Sequence, residues 1–156
     1  MSPAPRFRFS LETVLKVRTL REELARWELA RANQELERCR RALADTQRRR
    51  AEAMAELSAP AHRDWQGWEF QLYCLYLEQL ASAIVGWQER LIQEEERVAE
   101  KQRTLELLHQ ERRLLERLRE KHFALFRREV AKTWERECES ISLGRWDTAR
   151  RRHEDH

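Results

Sequence analysis

From Leu15 to Leu57 most seventh positions are apolar: Leu15, Leu29, Leu36, Leu43 and Leu57, with Glu22 and Arg50 as the two breaks. An offset set reads Leu11, Ala25, Ala32, Cys39 and Ala53, broken at Arg18 and Thr46. This three-four spacing draws one narrow apolar stripe along a helix, and such a stripe is buried against another helix. The pattern fails once, near Ala59–Gly67, and resumes at Phe70, Leu77, Ile84, Leu91, Val98 and Leu105. Its companion set is Tyr73, Leu80, Trp87, Leu108 and Leu115, interrupted at Glu94 and Lys101. Past Leu108 the stripe widens through Leu114, Leu118, Phe123, Leu125, Phe126 and Val130. The pattern predicts an all-α chain: a long two-helix antiparallel coiled-coil hairpin whose second helix is the longer.

Local signals place the boundaries. Pro3 and Pro5 keep the start extended. Ser10 suits an N-cap, with Phe9 and Val14 spaced for a hydrophobic staple. The first helix is expected from Leu11 to about Leu57, roughly 70 Å. Glu12 and Lys16, Glu22 and Arg26, and Glu37 and Arg41 are spaced as favourable ion pairs along it. Pro60 marks the break, and either Asp64 or Pro60 itself opens the second helix. Gly144 is the expected stop, giving a second helix of about 75 residues. The expected organisation is an extended arm over 1–10, a hairpin over 11–143 with its turn near 58–66, and a flexible basic tail over 144–156. A turn near residue 62 sets Leu11 beside the region of Leu115. The second helix then overhangs, and Phe123, Phe126, Val130 and Trp134 lack an internal partner, which points to an external one.

Composition supports this picture. Three Gly and three Pro in 156 residues, with 38% of residues charged, fit long helices with little loop. The net charge of +3 is too small for a strong global field. No run approaches the roughly 18–20 apolar residues of a membrane span, and Met1–Ser10 lacks a hydrophobic signal region. A soluble, cytoplasmic chain is expected. Cys39, Cys74 and Cys138 form no disulfide framework or metal pair, which fits a reducing compartment. Cys39 lies on the stripe and is expected to pack as a small hydrophobe.

Enzyme chemistry has no motif behind it. Gly67, Gly86 and Gly144 stand alone, so there is no phosphate loop. His62, His109, His122, His153 and His156 are scattered and read as solvent-exposed, with no metal-ligand spacing. No cofactor is expected. Arg48-Arg49-Arg50 and Arg150-Arg151-Arg152 raise nucleic-acid binding, but the first run sits inside a helix with Glu52 and Glu56 behind it, unlike a basic zipper. A solvated charged face is the better reading, and no nucleic-acid partner is expected. The aromatic cluster Trp65, Trp68, Phe70, Tyr73 and Tyr76 exceeds what one seam can hide. It reads equally as a cap on the turn or as a contact patch.

The opening Phe7-Arg8-Phe9-Ser10-Leu11, then Val14-Leu15-Lys16-Val17-Arg18, then Glu22-Glu23 with Ala25, Leu29, Ala32 and Leu36, resembles the FliJ family of bacterial flagellar export. Tyr76-Leu77-Glu78-Gln79-Leu80 and the Arg117–Glu129 stretch extend the resemblance over nearly the whole chain. Trp134–Ser140 departs from the family's usual end of the second helix. The resemblance implies a stalk-like antiparallel coiled coil, non-catalytic, peripheral at the inner-membrane export apparatus. It implies three partners: the hexameric export ATPase FliI, the export gate FlhA, and export chaperones. The expected ATPase contacts are Phe7, Phe9, Leu11, Leu15, Arg18, Arg119 and Phe126. The expected gate contacts at the turn are Trp65, Trp68, Phe70, Tyr73 and Leu77. The equivalent part of a virulence secretion system, or a basic coiled coil that binds nucleic acid, are the alternatives.

Overall fold

The computed structural model describes residues 4–59 and 66–155. Two helices make up the fold: α1, Glu12–Leu57, and α2, Gly67–Glu154. There is no strand among the described residues. The helices pack against each other as an antiparallel hairpin, and α2 is the longer. The expected caps Pro60 and Asp64 lie outside the described residues. At the start of α1 the Phe9 carbonyl accepts from the Glu12 N–H at 3.1 Å, and the Leu11 carbonyl accepts from Leu15 at 2.9 Å.

The chain divides into two compact units. One unit spans Arg21–His109 and holds the seam. Its core is Ala32, Leu36 and Val98, with Leu29 and Leu91 packed against them. Ala25, Cys39, Ala53, Leu80 and Ile84 are also buried. Cys39 is 2% exposed, and its thiol donates to the Trp87 carbonyl at 3.7 Å. It packs as the small hydrophobe that its place on the stripe predicts. The breaks in the pattern are used rather than wasted. Glu22 is the only buried charged residue among those described, at 2% exposure. Its carboxylate accepts from Arg26 at 2.8 Å and lies 2.9 Å from His109 Nδ1. Lys101 donates to Glu28 at 2.9 Å from the other helix. His109 is therefore tied to the seam, although half of its side chain remains exposed.

The other unit joins Met1–Leu20 to Gln110–His156. Here Glu12 accepts from Arg119 at 3.0 Å, roughly one and a half helical turns further along α2 than a pairing of Leu11 with Leu115 implies. Arg18 bonds to Glu111. Two of the pairs expected along α1 are replaced: Glu12 turns to Arg119, and Glu37 bonds Arg40 instead of Arg41. From residue 131 to 155 every residue is exposed.

Gly144 does not end α2, which continues to Glu154. No glycine takes a positive φ, so the backbone state that makes glycine a helix stop is absent. An interior glycine costs only about 1 kcal/mol. Arg151, Arg152 and His153 in the last turn favour the helix dipole.

The seam is thin, so solvent reaches part of any cavity made in it. Leu36→Ala should cost about 2 kcal/mol, at the low end for buried leucine, as read by urea melts followed by circular dichroism. Trp27→Ala, at a position 75% exposed, should move the melt far less. Equal effects would place the core elsewhere.

Candidate interaction surfaces

Within the arm-bearing unit, the N-terminal arm supplies two aromatic rings. Phe7 stands edge-on to Phe123, with centroids 5.1 Å apart, and tilts against Phe126 at 5.5 Å. Phe9 meets His122 at 5.5 Å and is buried. The Arg119 guanidinium lies 5.6 Å from the Phe7 ring centroid while it bonds Glu12. A cation over an aromatic face adds to the apolar contact. Arg127 stands 5.9 Å from the Phe123 ring. Phe123 and Phe126, expected to lack an internal partner, are thus covered in part by the arm. Trp134 remains open at 62% exposure.

Of the residues predicted for this surface, Phe7, Leu11, Leu15, Arg18 and Phe126 are half-buried, Arg119 is exposed and Phe9 is buried. Phe7, Phe126 and Arg119 come together directly. Arg18 faces Glu111 instead. Sequence reading missed a compact charge cluster beside them. Arg112 bonds Glu116, and Arg113 donates to the same carboxylate at 2.9 Å. The Arg113 hydrogen bond, helped by Arg112 and opposed by partial burial, holds the Glu116 carboxyl below its ordinary value of 4.5. The spacing of 112 and 116 signals such a pair in the sequence.

In the other unit, at the start of α2, Trp68 and Phe70 are 59% and 50% exposed, while Tyr73 and Leu77 are half-buried. Trp68 Nε1 donates to the Gln66 side chain at 2.7 Å. Tyr73 donates its hydroxyl to Glu56 of α1, and that bond raises the phenol above its usual 10.0. Tyr73 and Tyr76 meet edge-on at 6.4 Å. Trp65 lies outside the described residues. The remaining aromatics divide between a tie to α1, made by Tyr73, and open surface, made by Trp68, Phe70 and Tyr76.

Arg48 of the basic run is paired with Asp45 at 3.1 Å and faces Glu52 at 3.9 Å. Among the described residues no group of His, Cys, Asp and Glu is placed to hold a metal. No helix in them is long and apolar enough to cross a membrane.

A paired-helix hairpin with an aromatic arm is a geometry many coiled coils could share, and the family comparison decides between them. The family model described as flagellar FliJ protein matches residues 7–151. The chain belongs to the flagellar FliJ family. That match starts at Phe7, the first ring of the arm, and runs through both helices. No curated protein and no solved structure matches the chain. FliJ is a non-catalytic, flagellar export-related family.

The lowered Glu116 carboxyl has a signed consequence. Its stabilising contribution is full above the ordinary carboxylate value and is lost as pH falls through the lower folded value. The stability gap between the native chain and Glu116→Gln should therefore narrow as pH drops below about 4.5, measured by urea melts at a series of pH values. A constant gap would mean that the arginine pair does not bias Glu116.

Proposed function

We propose that the chain is a non-catalytic connector of the flagellar export apparatus. The arm-bearing surface binds the export ATPase FliI hexamer, and the turn-end surface binds the export gate FlhA. Export chaperones are further partners. The chain acts in the cytoplasm, peripheral at the inner membrane. The observation that carries this reading is the family match over residues 7–151. The structure supports it with two sets of large apolar side chains that the seam does not use. Phe7, Phe126 and Arg119 gather in one unit. Trp68 and Phe70 stand open in the other.

Each surface has a physical reason to bind. Arginine and aromatic side chains dominate interface energetics because they bring large contact area and directed hydrogen bonds. Arg119 and Arg18 offer guanidinium groups to acidic positions on the ATPase, at the cost of releasing Glu12 and Glu111. Phe9 is buried, so it supports this surface by holding the arm and does not reach the partner itself. Leu11 and Leu15 continue the apolar strip beside it.

Arg119→Ala should weaken the ATPase complex about tenfold, the scale of a moderate hot spot, and lower its stimulation of ATP hydrolysis. Phe70→Ala should weaken binding to the soluble domain of the gate by a similar factor, and each variant should spare the other partner. Calorimetric titrations with thermal melts read both effects. Loss of binding in step with a collapsed melt, or full binding by both variants, would remove these assignments.

A further inference from the structure

Within the unit 21–109, α2 carries a second apolar face away from the seam. At about 3.6 residues per turn, Trp68, Leu72, Leu75, Gln79 and Gly86 share one side of the helix. Tyr76 and Ala83 flank it on one edge and Ser82 on the other. Trp68, Leu72 and Leu75 are 59%, 56% and 56% exposed, and Tyr76 is 42% exposed. The buried seam residues Leu80 and Ile84 lie on a different side of the same turns. The face is graded. Bulky side chains fill the part before Gln79, and small ones fill the part after it. Nothing lies within 4 Å of where a Cβ on Gly86 would stand.

We propose that this face docks on the same face of a second copy of the chain, antiparallel, with the two-fold axis at Gln79. A two-fold interface is self-complementary: a position before the axis in one copy lies level with its mirror position after the axis in the other. Leu72 then lies over the copy's Gly86, where the missing side chain leaves a hole for it. Leu75 falls beside the copy's Ser82, and Tyr76 beside the copy's Ala83. At the ends, Trp68 comes level with the copy's Arg90, and Glu69 lies on the same edge as that arginine. Charge and ring thus both find a complement. Arg90 is already steadied by its own Trp87, 5.5 Å from the ring centroid.

A parallel pair lacks this fit. It sets Trp68, Leu72 and Leu75 each against itself and leaves Gly86 facing Gly86 across a void, against the close packing of stable interfaces. The antiparallel register is the one in which every bulky side chain meets a small or complementary one. Phe70, Tyr73 and Leu77 lie toward the seam side, so this inference stands apart from the export reading and shares only Trp68 with it.

Sedimentation velocity on the full chain across the micromolar range tests the inference. A reversible monomer–dimer equilibrium is expected. Gly86→Leu fills the hole but meets nothing in the single chain, so the helical signal and melt should hold while association weakens at least about tenfold. Gly144→Leu, in the same helix and in equally open surroundings, should leave the dimer intact. In a chain carrying Cys74→Ser and Cys138→Ser, a Gln79→Cys variant should cross-link to itself under mild oxidation, and a Gln93→Cys variant should not. A monomer at every concentration, a dimer indifferent to Gly86→Leu, or equal cross-linking from both cysteine variants would overturn it.

Discussion

Two helices can bury a seam and nothing thicker. No large side chain among the described residues is fully buried. Leu36, Ile84 and Val98 keep 7–8% of their surface exposed. A chain that is 41% hydrophobic cannot place all its apolar groups in so narrow a ribbon. The remainder stands on the outer faces: Trp27, Trp68, Leu72, Leu75 and Trp134 are each more than half exposed. The same narrowness brings charged side chains to the seam edge, where Glu22 and Lys101 find partners within 3 Å. The seam fixes how the helices pair, and the surplus is left on the outer faces.

The arm shows how the constraint is met locally. Phe7 and Phe9 precede α1, so their backbone is not committed to the seam. They reach rings on α2 that have no α1 residue opposite them. The result is a small aromatic cluster joined by Arg119, which also bonds Glu12. Hydrophobic area, cation–ring attraction and an ion pair reinforce each other at one place.

The seam was legible in the sequence because period is a local property. Leu29, Leu36, Leu77, Ile84 and Val98 follow from sevenfold spacing alone. What depends on register was not. Glu22 showed as a break in the stripe, but His109 as its neighbour follows only once the alignment of the helices is fixed. The same shift moved the partner of Glu12 to Arg119. The arm's contacts were hidden because an extended segment has no period to read. Gly144 misled because glycine stops a helix only when its backbone turns left-handed, and here it does not. The N-terminal signature pointed to the family, but only the structure shows that Phe9 is buried and Tyr73 is bonded to Glu56, while Arg119 and Phe70 stand exposed.

The proposed connector role requires that two partners be held at once, and the two candidate surfaces lie in different units of the chain. The most direct measurement is light scattering coupled to size-exclusion chromatography on the full chain mixed with both the export ATPase and the soluble domain of the export gate. A single ternary species that contains all three proteins is expected. Two separate binary complexes that compete for the chain, each displacing the other as its partner is titrated, would contradict it.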